Sequence, residues 1–478
     1  MLRSSLGVLR VRTLTCSFSS SLIFSPTTSN PLARLQRYNY PKAHHHVMSS
    51  DGESQSIAYR FIEDVEDISK YRPGGFHPTY IGDALKDRQY RIMHKLGYGG
   101  YSTIWLALDT LRREYVAIKI CSAHASDDSV EEQILQHLSN TEQESPVTHP
   151  GKHLVQSLLD VFDLRGPNGH HKCLVMPPAM MSIGDAKEAS YSRLFQPNVA
   201  RSIISQLALA VGFMHEKGIV HGDIHMGNVF FRLPLDVNNL TPEEIYQKYG
   251  EPELEQVVRE DRNPVGDGVP SHLVVPIWMG KSSEDMEMSE AEVLLSDFGE
   301  SFMPASVDRF YSNSPLSFRP PEARFPSKPL GFAADIWSLA CLSWEILGAR
   351  PLFESSMATD DDVLADIVDL LGKPPPEWWT QWNARSQFYT EDGESGIKLA
   401  PERLPGTLRW GWSERLDLCV QRPRREAGFD GISEKEWTSL LAMLQSMMHF
   451  EPDQRATAKQ ILQSDWMKHW AGCKENSR

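Results

Sequence analysis

Three oxygen-bearing side chains constrain this chain more than anything else in it. They lie in HGDIHMGNV, residues 221–229, and in SDFGE, residues 296–300. The first stretch sets Asp223 five residues before Asn228, and the second sets Asp297 ahead of Phe-Gly. A carboxylate in the first position can take the proton of an attacking hydroxyl and aim it. An amide and a second carboxylate can hold magnesium ions against phosphate oxygens. That chemistry works only if all three groups share one small space. Asn228 and Asp297 are 69 positions apart, so the fold must return distant segments to a common cleft. The chemistry implied is phosphoryl transfer from ATP with Mg2+.

The upstream sequence supplies what such a cleft needs. LGYGGYSTIWLA, residues 96–107, follows the apolar stretch YRIMHKL and alternates as strand, turn and strand. Gly97 and Gly99 let a backbone come close to phosphate oxygens with its N–H groups turned to the anion. A plain hairpin turn is the alternative. Leu96, Tyr98, Gly100, Ser102 and Ile104 complete the stretch; Ser102 is small and can itself donate. YVAIK, residues 115–119, is an apolar run ending in Lys119, the pattern of a strand that points an ammonium at the α- and β-phosphates. A buried ammonium needs a partner. SVEEQILQHL has helical spacing, with Val130, Ile134, Leu135 and Leu138 on one side, and offers Glu131 or Glu132. The spacing to Ile134, Leu135 and Leu138 favours Glu131.

With these elements in this order, residues 90–466 resemble a eukaryotic-type protein kinase. The resemblance implies an α+β, two-lobed fold: a strand-rich small lobe with one main helix, 90–178, and a mainly helical large lobe, 179–466. It implies ATP in the cleft, magnesium on Asn228 and Asp297, Asp223 as the base, and Lys119 held by Glu131. LVM at 174–176 resembles the strand before a hinge, with Met176 as gatekeeper. By resemblance the carbonyl of Pro177 accepts from the adenine amino group and the N–H of Ala179 donates to the ring. Neither role needs the N–H that proline lacks; an ordinary Pro-rich turn is the other reading. FRPPE at 318–322 resembles the end of an activation segment, and DIWSLACLSWEIL at 335–347 the buried helix after it. Arg455 is expected to pair with Glu322, and Asp335 to accept from amides of the catalytic loop.

Arg319 before the Pro-Pro-Glu, DDDVLADIVDLLGKPPPEWW at 360–379, and KYRPGGFHPTYIGDAL at 70–85 resemble the CMGC group and, within it, SR-protein kinases of the fungal type. That family carries a spacer ahead of the DFG motif. Here it spans 232–292 and is polar, acidic and rich in Pro and Gly. TPEEIYQKYG and PELEQVVRE could form short helices there, and the rest reads as a flexible loop. A second insert falls at 373–432. The implied substrate is a serine in an Arg/Ser-rich protein segment. Asp360, Asp361, Asp362, Asp366 and Asp369 could dock such a segment or simply form a solvated helix face.

Two departures from the kinase pattern matter. Gly222 stands where an arginine usually pairs with a phosphate on the activation loop. A glycine cannot do this, so activity without loop phosphorylation is expected; Ser312, Ser314 and Ser317 are the candidate modification sites. His225 stands where a lysine usually touches the terminal phosphate. A histidine can donate there, and its charge depends on pH near neutrality, so the rate should fall as pH rises from about 6 to 8. HGDxHxGN also occurs in aminoglycoside and choline phosphotransferases, which are the rival reading. They lack the Pro-Pro-Glu segment, the DxWS helix and its arginine partner. A pseudokinase scaffold is the third reading, opposed by the presence of Lys119, Glu131, Asp223, Asn228 and Asp297.

Hydrophobic residues make up 41% of the 478, enough for a full core. The net charge of −15 argues against a nucleic-acid phosphate binder and suits a basic protein substrate. The six cysteines show no CxxC spacing, so neither a metal site nor a disulfide framework is expected. No run is apolar enough to span a bilayer, and a monomer in the cytoplasm or nucleus is expected. Residues 1–69 read as an N-terminal extension, a transit peptide or disordered. Its first fifty residues carry arginines and serines and no acidic residue. Residues 1–47 could target mitochondria, or Met48 could be the true start.

Overall fold

The structure, a computed structural model, describes residues 58–126, 130–140, 149–354, 356–392, 396–399 and 410–472. The transit-peptide and Met48 expectations lie outside the described residues. The small lobe is built on an antiparallel sheet of β1 (Ala84–Leu85), β2 (Tyr90–Tyr98), β3 (Ser102–Asp109), β4 (Glu114–Cys121), β5 (Asp160–Gly166) and β6 (Gly169–Met176), in the order β1-β2-β3-β4-β6-β5. Helices α1 (Ala123–Ser126) and α2 (Val130–Asn140) sit between β4 and β5 in the chain.

Side chains alternate across a strand, yet β4 is buried along almost its whole length. Both faces of the sheet are therefore covered. One face carries Ile92, Trp105, Ala107, Val116, Ile118 and Ile120, which pack with Leu85 and Val274. The other carries Met93, Leu106 and Tyr115 at one end, and Lys119 further along β4.

The large lobe starts with β7 (Ala179–Ser182) and helices α3 (Ile183–Glu188) and α4 (Pro197–Glu216). Pro197 opens α4 where a missing N–H costs nothing. A three-stranded sheet then joins β7 to β8 (Val229–Arg232) and to the strand Val293–Leu295, and carries the loops of the site. Further on, α6 (Phe332–Leu347) is buried on nearly every side, as its apolar sequence requires. One continuous core joins α4 and α6 to Leu135, Leu138 and Phe298. Arg455 clamps this lobe. Its guanidinium meets both oxygens of Glu322 at 2.8 and 2.6 Å, as expected, and also donates to the carbonyl of Ala333.

In the spacer, TPEEIYQKYG forms a helix, as its sequence allows, and other parts are tied to the small lobe. Between β8 and α6 the spacer forms α5 (Pro242–Tyr249), then β9 (Leu254–Gln256) paired antiparallel with β10 (His272–Val274), before the chain reaches β11 (Val293–Leu295). Helix α5 is set by a capping box, Thr241 with Glu244, and by Pro242 in its first turn. PELEQVVRE is not a helix: it gives β9, because β10 offers a partner strand and Val257 is buried beside Leu273, Ile68 and Tyr71. Leu233, Val237, Ile245 and Met279 pack under the small-lobe sheet on Met93, Leu106 and Tyr115. Tyr246 donates to the Met93 carbonyl at 2.8 Å and Ile277 N–H to the Lys95 carbonyl at 2.8 Å. An insert in the large lobe thus completes the small one.

The extension 1–69 is structured over its last part. Glu66 is buried and takes both the ammonium of Lys95 and the hydroxyl of Tyr71. Tyr59 forms an isolated bridge with Arg259 of the spacer. Within the second insert, residues 393–395 and 400–409 lie outside the described residues. Its flanking part buries Trp378, Trp379, Trp382 and Tyr389 against α7 (Asp360–Leu371).

Candidate active site

Asp223 and Asn228 lie on the loop leading into β8, and Asp297 lies just beyond β11, after Ser296; β11 pairs with β8. That pairing is what closes the long interval in the sequence. Asn228 Nδ2 donates to the backbone carbonyl of Asp223 at 2.9 Å and to its Oδ2 at 3.0 Å. The other carboxylate oxygen of Asp223, Oδ1, is buried and has no hydrogen-bond partner among the described residues. Burial works against the charge of Asp223, but the neighbouring His225 holds its carboxyl below the ordinary carboxylate range.

Lys119 bridges to the other side of the cleft. Its Nζ sits 2.8 and 2.7 Å from the two oxygens of Glu131 and 3.1 Å from Oδ1 of Asp297. Glu132 instead pairs with Lys172 at 3.5 Å, so Glu131 is the partner, as the spacing implied. Burial alone would lower the Lys119 pKa. The carboxylates of Asp297 and Glu131 outweigh it and raise the pKa, keeping the ammonium charged. Asp297 has φ of 65°, a left-handed conformation that a non-glycine residue adopts at some cost. Phe298, next to it, is buried against His221 and the core beneath α2.

Asp335, at the start of α6, fixes the catalytic loop. It accepts from the N–H of His221 at 2.8 Å, from that of Gly222 at 2.9 Å, and from Nε2 of His215 at 3.0 Å. Gly222 is required by shape. Its φ is +77°, and a β-carbon there would lie 2.5 Å from the carbonyl oxygen of Glu300.

His225 does not extend away from the base. Its Nδ1 accepts from the N–H of Gly227 at 3.0 Å, which leaves the ring proton on Nε2, facing Oδ2 of Asp223 at 3.4 Å. The geometry makes it a partner that orients the base rather than a phosphate contact.

The roof is the turn between β2 and β3. Ile104 pairs with Lys119 in the ladder, and Gly97 with Ile104. Leu96 and Tyr98 flank Gly97 in β2, and the Gly99 N–H bonds to the Ser102 carbonyl at 2.8 Å, closing the turn around Gly100. A β-carbon on Gly97 or Gly100 would meet nothing within 4 Å, so these glycines leave room that the protein itself does not fill. At the hinge, the Pro177 carbonyl accepts from Gln156 Nε2 at 3.1 Å, a neighbour that local sequence did not reveal. A carbonyl has two lone pairs, so one remains for adenine. Ala179 opens β7 opposite Arg232.

The protein kinase domain model matches residues 90–237 and 284–467, leaving the spacer between its two parts. The chain belongs to the protein kinase family. The kinase is 24% identical to a serine/threonine protein kinase of Aspergillus fumigatus, over 84% of this chain and 90% of the relative. It is 27% identical to serine/threonine-protein kinase SRPK of Physarum polycephalum, over 85% and 92% of the two chains. With SRSF protein kinase 3 of Mus musculus the identity is 22%, over 85% and 91%. It is a serine/threonine protein kinase of the SR-protein-kinase-like, CMGC type and acts on proteins. Neither the small-molecule phosphotransferase nor the scaffold reading is favoured. Kinases of this family use ATP and Mg2+.

In the kinase's activation segment, Arg309 donates to the Glu300 carbonyl at 2.6 Å and to its carboxylate at 3.1 Å. Asn313 donates to the other Glu300 oxygen at 2.9 Å, and Ser314 Oγ donates to the Gly222 carbonyl at 2.9 Å. Ser314 and Ser317 are buried. The carboxylates of α7 are largely committed inside the chain. Asp360 faces Arg319 at 3.5 Å, Asp361 takes Arg324 and the Trp382 indole, and Asp362 caps its own helix at Thr359. Asp366 binds Arg415 and Asp369 takes the Tyr389 hydroxyl.

Proposed function

We propose that this kinase transfers the terminal phosphoryl group of ATP to serine in Arg/Ser-rich protein segments. It acts as a monomer, without nucleic acid and without prior phosphorylation of its activation segment. The observation that carries the catalytic part is Asp223, whose carboxylate is held by Asn228 and His225 and kept below the ordinary carboxylate range. That carboxylate accepts the proton of the substrate hydroxyl and orients it. Lys119, steadied by Glu131, contacts the α- and β-phosphates. Asn228 turns its amide nitrogen to Asp223, leaving its oxygen for a cation with Asp297 opposite. Magnesium, when bound, neutralises charge on the phosphates. The glycine turn 97–100 covers them, and Pro177 and Ala179 receive the adenine.

Support for the substrate class comes from the net charge of −15 and from relatives bearing the names SRPK and SRSF protein kinase. The α7 carboxylates add little to it, since arginines of the same chain already engage several of them. Support for independence from loop phosphorylation comes from Gly222, from the Glu300–Arg309 and Ser314–Gly222 ties, and from the burial of Ser314 and Ser317.

The test is phosphorylation of an Arg-Ser peptide beside an Arg-free Ser peptide, using protein treated with phosphatase, with Asp223→Ala as control. Preference for the first peptide at full rate is expected. Equal rates on both would reject the substrate class, and loss of activity after phosphatase would reject autonomy. The cytoplasm or nucleus is the proposed location, with mitochondria the alternative; fusions beginning at Met1 and at Met48 separate them.

A further inference from the structure

Residues ahead of the kinase fold reach the turn that roofs the cleft. Lys70 Nζ donates to the carbonyl of Gly100 at 3.0 Å. The neighbouring peptides are tied as well: Gly99 N–H to the Ser102 carbonyl at 2.8 Å, and Ser122 N–H to the Tyr101 carbonyl at 2.7 Å. A trans peptide is planar, so its C=O and N–H point in opposite directions. Holding the Gly100 carbonyl towards Lys70 turns the Tyr101 N–H away from it.

Which way that N–H points follows from the face Lys70 comes from. Glu66, four residues earlier, is bonded to Lys95, whose ammonium lies 5.4 Å from the Trp105 ring. Lys95 pairs with Trp105, and Trp105 with Ile118. Ile118 and Lys119 are adjacent on β4 and so point to opposite faces. The extension therefore lies over the outer face, and the Tyr101 N–H is turned to the Lys119 face. Lys70 is itself well fixed. It ends a helical turn, Ile68–Lys70, capped by Asp67, and its carbonyl accepts from Phe76 N–H at 2.8 Å. Its ammonium also lies 5.4 Å from the Phe76 ring.

We propose that Lys70 is a positioning residue for ATP: by holding the Gly100 carbonyl outward it presents the Tyr101 N–H to the phosphates. This rests on the nucleotide reading of the cleft given above. A backbone donor aimed at an anion acts in binding before it acts in chemistry. The effect should therefore appear in nucleotide affinity.

The experiment uses the full chain with Mg·ATP and a fixed protein substrate, comparing wild type with Lys70→Met, which keeps the stem, and Lys70→Arg, which keeps the donor. KM for ATP, kcat at saturating ATP and the Kd of a fluorescent ATP analogue are measured, with the thermal midpoint alongside. Lys70→Met should raise KM and Kd about three- to ten-fold, as expected for one charged hydrogen bond, with kcat changed less than about two-fold. Lys70→Arg should recover most of the affinity. Equal KM and Kd in wild type and Lys70→Met overturn the proposal, as does a loss confined to kcat and the thermal midpoint. Wild type unable to bind Mg·ATP would instead overturn the nucleotide reading itself, and that result does not involve residue 70.

Discussion

The two lobes are held together in different ways. The large lobe is built round α4 and α6, in a core that also takes in Leu135 and Leu138 of α2, and Glu322 and Arg455 lock the lobe from within. The small lobe borrows. Its outer face is closed by residues from 58 onward and by the β9–β10 hairpin, and its inner face is filled at one end by Ile245 and Met279 of the spacer. The floor of the cleft, where the base sits, thus rests mainly on contacts within the large lobe, among them the Asp335 ties to the catalytic loop. The roof, which sets the nucleotide, depends on segments far away in sequence. Changes in the floor should act on turnover, and changes in the roof on affinity for ATP.

The largest effect that tests this division is at the base. Asp223→Asn should lower kcat by roughly 10²–10⁴ while KM for ATP stays near its wild-type value. A matching rise in KM would show that floor and roof are not separable. Next comes the lock of the large lobe. Arg455→Met leaves Glu322 buried and unpaired, and denaturation should show a loss of about 3–5 kcal/mol. Ile245→Ala should cost about 2–5 kcal/mol through the cavity it leaves. Hydrogen exchange should show that loss in β2, β3 and β4 rather than in α6; equal loosening of both would mean the lobes unfold as one unit.

Acid acts on both lobes, since burial lowers the pKa of His221 on the catalytic loop as well as those of two histidines of the roof. His77 and His94, both in the small lobe, have pKa values lowered from 6.5 to about 4, chiefly by burial, with His171 adding to the effect at His77. They stay neutral in the fold but take up protons in the unfolded chain, so stability rises with pH between those two values and is lost as pH falls through them. Protection factors around His77 and His94 should drop on going from neutral pH towards 4. The smallest effect concerns His225. Its Nε2 faces Oδ2 of the base, so His225→Ala should lower kcat by less than Asp223→Asn does and leave KM for ATP unchanged. A rise in KM for ATP without a fall in kcat would make the imidazole a nucleotide contact instead.

The sequence showed the floor better than the roof, for a physical reason. Asp223, Asn228 and Asp297 sit in short motifs whose spacing is dictated by the chemistry. Glu131 could be chosen over Glu132 because a helix has a period, and Arg455 could be matched to Glu322 by resemblance. The contacts of Glu66 with Lys95, of Lys70 with Gly100 and of Gln156 with Pro177 have no such signature. They are single polar contacts between segments that share no periodicity. PELEQVVRE could be a helix by local propensity, and it is a strand because its partner, β10, lies beyond an intervening loop that local propensity cannot see. The acidic run of α7 allows two readings in sequence, a docking site or a solvated helix face. A row of carboxylates looks open to a ligand until Arg319, Arg324 and Arg415 fold back onto it.

Gly222 also limits what can stand beside the base. An arginine at this position would do more than add a charge: its β-carbon would intrude on the Glu300 carbonyl, at a backbone angle that side chains rarely adopt. The catalytic loop and the start of the activation segment would have to move apart to admit it.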